Sequence, residues 1–360
     1  MIGSRGRLLE MIERRSVRAA TREPIPFVSI LKEPKKILVV PSRGAKGFPF
    51  AIPSLSLLRE RFHRTSLHVL ADADSADIFR RDPNVDVVHV LGGGGSLFRI
   101  RDLVASGKTL AREDFDIALW LDDEVDPERR LAVLMASGKA RIGRCEDKGL
   151  FNCEFRYDGA DGYAPLAQLA LTRRVVRTAT AGSPRWRPDE KLRERARQLA
   201  HYWKPGRKDY LFVVDPGSGL AGGRPGIDAL RSLVELLKNT YPCKVLIASE
   251  PGCADSVREL ARETARWEPI LIPQTTLAET GALLSHADLV VSGNTSLFHF
   301  AWVLGVPSLG LFGKLDPDRH VPPGGPSVVI RSTEGLEPAG FLERVDILLT
   351  KFPRALPVTP

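Results

Sequence analysis

Leu289–Gly313, LVVSGNTSLFHFAWVLGVPSLGLFG, runs for 25 residues without an Asp, Glu, Lys or Arg. By length alone it could cross a bilayer, which takes about 20 apolar residues. Its interior argues against that. Asn294, His299, Pro307 and four glycines divide it into strand, turn, helix, turn and strand. Strands this apolar are buried on both faces, as in a parallel sheet covered by helices, so they show no polar alternation.

The same rhythm extends outward in both directions. Upstream, Tyr210–Val214, Lys244–Ala248 and Ile270–Ile272 read as strands, with helical patterns at Ile227–Leu237 and Ala254–Ala265. The first half repeats it with Ile37–Val40, Leu67–Leu70, Val85–Val90 and Ile117–Leu121, and an apolar-periodic segment at Ile52–Phe62. Strands alternating with helices make βαβ units and a mostly parallel sheet. The pattern fades at 145–165 and turns basic at 178–190, so the domain boundary is placed near 178–188. The expected class is α/β, with two Rossmann-like domains and a ligand in the cleft between them, at the carboxyl ends of the strands. The expected segments are a basic leader (1–35), an N-terminal domain (36–180), a basic linker and helix (181–208), a C-terminal domain (209–335) and a closing helix and tail (336–360). A chain of 360 residues suits two domains.

The formal charge of +8 is unevenly spread. Residues 1–36 carry nine basic side chains against four acidic, and residues 171–209 carry twelve against four; the rest of the chain is net acidic. A general polyanion binder would be basic throughout, and the linker holds few aromatics, so nucleic acid is not expected as a partner. The leader, with Leu8, Leu9, Met11 and Ile12 among Arg5, Arg7, Arg14 and Arg15, is weakly amphipathic. It suits peripheral contact with anionic lipid, or equally an unstructured leader or a helix packed on the body. With no apolar secretory segment read at the N-terminus, the expected location is cytoplasmic, including the inner face of a bacterial inner membrane. Cys145, Cys153, Cys243 and Cys253 form no C-x-x-C, so neither zinc nor a disulfide scaffold is expected.

Four stretches could carry chemistry. Asp215-Pro-Gly-Ser-Gly219 follows a strand, and Gly222-Gly-Arg-Pro225 leads into a helix. Gly217, Ser218 and Gly219 would let backbone N–H groups approach an anion, with Arg224 adding charge-assisted bonds; an ordinary βα turn is the alternative. Asn294, Thr295 and Ser296 fall where a helix opens, with His299 a turn in. They suit a diphosphate at a helix N-terminus, or simply cap a buried helix around a core histidine. Asp122-Asp-Glu-Val-Asp126 sits past a strand end, where the clustered acids could bind a divalent cation, Asp122 or Asp123 could act as a base, or all merely line a solvated loop and helix N-terminus. Gly92–Ser96 matches no phosphate-loop pattern and reads as a connection. Gly217–Gly222 does spell G-x-G-x-x-G, but Gly223 to Gly226 delay the helix and Glu250 lies beyond the acid's usual place about 20 residues on, so a dehydrogenase is disfavoured.

Taken together, the chain resembles glycosyltransferase family 9, the bacterial heptosyltransferases of lipopolysaccharide core synthesis. The resemblance spans about residues 36–335. It rests on Ile37–Val40 with Ile52–Leu55, Phe115–Leu121 with Ala140–Arg144, Asp215–Gly219, Asn294–Ala301, Leu304–Pro307, and Leu311–Gly313 with Asp316-Pro317. It implies a GT-B fold of two facing Rossmann-like domains, the first holding the acceptor and the second a nucleotide-sugar donor, typically ADP-heptose. No metal or other cofactor is implied. Gly217, Ser218, Gly219, Arg224, Asn294, Thr295, Ser296 and His299 would bind the donor. Arg43 and Lys46 would meet an anionic glycan or lipid-linked acceptor.

Departures from the family are concentrated at carboxylates. The first loop's Asp, the family's usual candidate base, falls at Gly47, and the acid before the donor helix is Asn294. The His-Pro-Gly turn begins instead with Asp215, and the family's phosphate-contacting Lys falls at Gly223, beside Arg224. With the usual position empty, Asp122 or Asp123 is expected to act as base; the alternative is a degenerate GT-B protein that binds without transferring.

Overall fold

The computed structural model describes residues 27–91, 98–136, 138–144, 149–154, 162–178, 186–203, 209–217, 224–250, 252–272, 275–312, 315–322, 325–331 and 338–352. The chain forms two compact units: one takes residues up to 160 and again 165–183, the other 161–164 and everything from 184. The chain therefore crosses between them three times. The leader's amphipathic residues and Gly92–Ser96 lie outside the described residues.

The first unit holds β1 (Lys36–Val40), β2 (Ser66–Asp72), β3 (Val87–Leu91), β4 (Ile117–Trp120), β5 (Ala140–Gly143) and β6 (Cys153–Glu154). They form one sheet in the order β3-β2-β1-β4-β5-β6, every pair parallel. Its helices are α1 (Phe27–Ile30), α2 (Gly47–Arg61), α3 (Ala73–Arg80), α4 (Phe98–Ala111), α5 (Pro127–Ala136) and α6 (Ala164–Val176). Ile37 to Val40 are all fully buried, the continuous pattern that two covered faces require. Leu38, Val40, Leu70, Trp120, Leu131 and Phe151 share one core.

The second unit opens with α7 (Glu190–Trp203) and continues through β7 (Tyr210–Val214), α8 (Arg224–Thr240), β8 (Cys243–Ile247), α9 (Ala254–Glu263), β9 (Ile270–Leu271) and α10 (Leu277–Leu284). It ends with β10 (Leu289–Ser292), α11 (Ser296–Leu304), β11 (Ser308–Phe312), α12 (Pro317–His320), β12 (Ser327–Arg331) and α13 (Pro338–Lys351). The sheet order is β12-β11-β10-β7-β8-β9, again parallel throughout. Phe212, Val214, Val234, Ile247, Val291, Leu309 and Val345 lie in its core.

Renumbered from its own first strand, each sheet reads 3-2-1-4-5-6, the doubly wound order. Connections leave the central pair in opposite directions, opening a crevice at its carboxyl end. In the first unit this switch lies between β1 and β4, in the second between β7 and β10.

Residues 289–312 fold as their punctuation predicts, with Gly305 ending α11 at φ +69°, a left-handed conformation that glycine adopts without a Cβ penalty. No helix among the described residues is long and apolar enough to cross a membrane. Three expectations need correction. Helix α2 begins at Gly47 rather than near Ile52, with Pro53 accommodated inside it. Helix α8 begins at Arg224, so no glycine run delays it to Gly226. Strands β5, β6 and β12 were not anticipated.

Candidate active site

At the second unit's switch point, the turn after β7 and the turn after β10 are tied by one carboxylate. Asp215 is completely buried. Its Oδ2 accepts hydrogen bonds from the Ser292 hydroxyl at 2.8 Å and the Thr295 hydroxyl at 2.5 Å, and its Oδ1 accepts from the Gly217 N–H at 2.8 Å. Burial raises its pKa above the ordinary carboxylate value, opposed by the neighbouring Ser249, Thr295 and Ser292 hydroxyls and the Gly217 N–H. Gly217 has no room for a side chain. A Cβ there would lie 2.9 Å from Asp215 Oδ1, 2.9 Å from Ser249 Oγ and 3.0 Å from Thr295 Cγ2.

Thr295 occupies the N-cap of α11, but its side chain makes no capping bond, because its hydroxyl is turned to Asp215. The first helical N–H, that of Ser296, donates to Glu250 Oε2 at 3.0 Å, from the loop after β8. Ser296 Oγ is buried with no hydrogen-bond partner among the described residues. A helix start with its positive dipole end, an outside carboxylate on its first N–H and a spare hydroxyl is chemically suited to an anion.

His299 is completely buried, and both its ring nitrogens have side-chain partners. Nε2 is 2.9 Å from Asn294 Oδ1, and Nδ1 is 2.9 Å from the Tyr163 hydroxyl. The amide oxygen can only accept, so Nε2 carries the proton, and in the neutral ring Nδ1 accepts from Tyr163. Asn294 then donates through Nδ2 to His320 Nδ1 at 3.2 Å. Tyr163 is buried, which raises its phenol pKa well above the ordinary value and favours the neutral donor. It also packs edge-on to Trp302, ring centroids 5.1 Å apart. His299 thus orients Asn294 rather than presenting a free nitrogen to a ligand. Of the other donor-binding candidates, Ser218 and Gly219 lie outside the described residues, as does the side chain of Arg224.

In the first unit the β1–α2 loop is held from four directions. Arg129 of α5, almost completely buried, donates through Nη1 to the Pro41 carbonyl at 2.5 Å and pairs with Asp72 at 2.8 Å. Asp72 also accepts the Gly44 N–H at 3.0 Å. Arg43 pairs with Asp126 at 2.5 Å, and Gln168 of α6 donates to the Ser42 hydroxyl at 3.0 Å. These ties draw the loop in until Ser42 lies against the helix start. A Cβ built at Gly47 would be 1.9 Å from the Ser42 carbonyl oxygen. Lys46 is the N-cap residue of α2 and half-buried; Arg43 is exposed but paired.

Asp122 and Asp123 follow β4 at the same sheet edge. Asp123 is half-exposed and pairs with Arg144 at 3.0 Å, while Asp122 Oδ1 accepts the Asp123 N–H at 2.8 Å. Partial burial raises the Asp123 pKa, opposed by Arg144 and helped by Asp122 and Glu124. The sequence had not singled out Tyr163, His320, Asp72 or Arg129. Glu250 had been weighed only as a dinucleotide-binding acid. Cys153, Cys243 and Cys253 are free thiols. Among the described residues, no group of three or more His, Cys, Asp or Glu is placed to hold a metal ion.

Comparison with known proteins gives consistent results. Residues 103–340 match the sequence model of glycosyltransferase family 9 (heptosyltransferase). Lipopolysaccharide heptosyltransferase 3 of Escherichia coli (strain K12) is 22% identical over 279 residues, covering 73% of this chain and 78% of that protein. The glycosyl transferase family 9 structure from Veillonella parvula DSM 2008 matches with a TM-score of 0.74 at 16% identity, covering 89% of this chain and 98% of that one. E. coli heptosyltransferase WaaC with ADP matches with a TM-score of 0.69 at 15% identity, covering 87% and 99%. At such identities the structural likeness shows the shared GT-B fold.

Proposed function

The chain belongs to glycosyltransferase family 9, and from that premise we propose that it moves a sugar, heptose or similar, from a nucleotide diphosphate to a lipopolysaccharide-core or other anionic glycan acceptor. The observation that carries the reading is the α11 start at the β7/β10 switch point, where Asp215 ties the glycine turn to Thr295 and Ser296 keeps a spare buried hydroxyl. The donor diphosphate takes the place of the Glu250 carboxylate at the Ser296 N–H. Asn294, held by His299 and His320, lines the same edge. Since a relative carries ADP in its solved structure, ADP-heptose is the first donor to test.

In the transfer, the acceptor hydroxyl oxygen bonds to the anomeric carbon as the bond from that carbon to the diphosphate oxygen breaks. The electron pair leaves with the diphosphate, where the helix N-terminus stabilises the developing charge. The hydroxyl proton goes to Asp123 or Asp122, and partial burial, which raises the Asp123 pKa, favours its taking a proton. Arg43 and Lys46 attract the acceptor's anionic groups. Peripheral attachment to the inner face of the inner membrane, through the leader, would bring a lipid-linked acceptor within reach.

The decisive assay is product formation from ADP-heptose and a core acceptor, beside calorimetric binding of ADP. The double substitution Asp122→Asn with Asp123→Asn should abolish transfer while ADP binding persists; turnover equal to the unmodified protein removes these two as the base. The close approach of Gly47 to Ser42 favours a second reading, in which the protein binds nucleotide sugar without transferring it. Binding without product across several donors and acceptors would select that reading.

A further inference from the structure

Asp215 is a buried carboxylate for which the transfer chemistry has no use. It is too deep to meet a ligand: it is completely enclosed, and beside the Ser249 hydroxyl its hydrogen bonds to Gly217, Ser292 and Thr295 bind it to protein groups. Those last three come from two segments far apart in sequence. Gly217 belongs to the turn after β7; Ser292 ends β10 and Thr295 lies in the turn after it, 77 and 80 residues away from Asp215. The segments flank the switch point from opposite sides, and β7 and β10 are directly paired below them. Strand pairing fixes the segments only up to Val214 and Val291, which are partners; one further backbone bond runs from the Asp215 N–H to the Val291 carbonyl at 2.9 Å. Beyond that point β7 ends and β10 no longer pairs with it, and the side chain of Asp215 takes over the tie.

We propose that Asp215 is a positioning residue: by bonding the Gly217 N–H with one oxygen and the Thr295 and Ser292 hydroxyls with the other, it sets the separation between the glycine turn and the α11 start that bracket the donor diphosphate. This rests on the donor-site reading above. The absence of a side chain at Gly217 belongs to the same device, because a Cβ there would collide with Asp215 and Thr295 together. Diverting Thr295 from its N-cap role follows from it as well. The hydroxyl that would ordinarily cap the Leu297 or Phe298 N–H joins the tie, and the helix's first N–H, that of Ser296, is held by Glu250, an exchangeable partner from another loop. The arrangement keeps the helix start available to an incoming anion while holding it in place.

The test uses the full chain with Asp215→Asn, Thr295→Val and their combination. Asparagine keeps the acceptor for Gly217 and replaces the oxygen that serves the two hydroxyls; valine keeps the shape of threonine without its hydroxyl. Each single variant should bind ADP about tenfold more weakly by calorimetry while circular dichroism shows the native fold. The double variant should be no worse than the weaker single one, since both remove the same bond. Amide hydrogen exchange should quicken in both segments at once, at Gly217 and in the first turn of α11. Native ADP affinity in a folded Asp215→Asn variant overturns the inference, as does exchange that quickens in only one segment. If the unmodified protein binds no ADP, the donor-site reading fails, and the exchange experiment still decides whether Asp215 couples the two segments.

Discussion

Restoring the family's acid at Gly47 should harm this protein rather than improve it. A Cβ at that position would lie 1.9 Å from the Ser42 carbonyl oxygen and 3.0 Å from its carbon. Non-bonded carbon and oxygen come no closer than about 3.3 Å, so one atom must yield by roughly 1.4 Å. Both are backbone, and the loop is held by Arg129 on Pro41, Gln168 on Ser42 and Asp72 on Gly44. Overpacking of this kind costs about 1–3 kcal/mol, and each tie broken in relieving it adds about 1 kcal/mol. Gly47→Ala should therefore destabilise the first unit by about 3–4 kcal/mol, a fall of roughly 10 °C in its melting transition. Gly47→Asp should fall at least as far and gain no transfer activity. Gly44→Ala is the control: Gly44 has φ +72° and open space around it, so only the left-handed strain of about 1–2 kcal/mol applies. Scanning calorimetry on the three variants reads the order directly. A Gly47→Ala protein that melts with the unmodified one, or a Gly47→Asp protein that turns over faster, would refute the steric argument.

Other perturbations test the two units separately. Asp82, buried after α3 with its Oδ2 unpartnered, has its pKa raised by burial from 3.8 to about 6, opposed by Asn84 and Arg59. The folded state therefore holds this proton more tightly than the unfolded one, so its contribution is complete below about pH 4 and is lost as pH rises through 6. Asp82→Asn should gain about 3 kcal/mol on the unmodified protein between pH 4 and pH 8; a difference that ignores pH in denaturant titrations would count against the buried-carboxylate account. His68, held near a pKa of 4 chiefly by burial and then by His89, works in the opposite sense between pH 6.5 and 4, which is why the Asp82 effect must be read as a difference between variants. Tyr163→Phe removes the hydroxyl on His299 and should destabilise the second unit by about 1–2 kcal/mol and weaken ADP binding several-fold, through looser placement of Asn294. Unchanged stability and affinity together would mean that His299 needs no such support.

How far the sequence carried the reading differs between the fold and the site. Strands such as β1, β7, β10 and β11 were legible because a parallel sheet covered on both faces demands unbroken apolar runs. Strand β5 was not, since Arg141 interrupts it; that guanidinium is buried and satisfied by the Leu150 and Gly138 carbonyls, contacts no local pattern encodes. Strand β6 has two residues, too few for any period. At the site, the sequence located the helix start at 294–296 and the glycine turn at 215–217, because both are local signals. It could not see that Asp215 joins them across the sheet, that Tyr163 reaches His299 from 136 residues away, or that Gly47 is pressed against a carbonyl. Each depends on a long-range approach set by the whole sheet. His299 is completely buried, as the core-histidine alternative expects, and its Nε2 holds Asn294.

The threefold crossing of the chain bears on how this protein could have been assembled or could be re-engineered. Residues 161–164 go with the second unit and 165–183 return to the first, so no single cut separates the halves. A break between 183 and 184 strands Tyr163 on the wrong fragment and leaves His299 in the other without its hydroxyl. Recombination that exchanged one half for a homologue's would need two compatible junctions more, or it would import a foreign residue into the histidine's pocket. A replacement first unit cannot be grafted on without rebuilding 161–164, four residues that belong to the second unit.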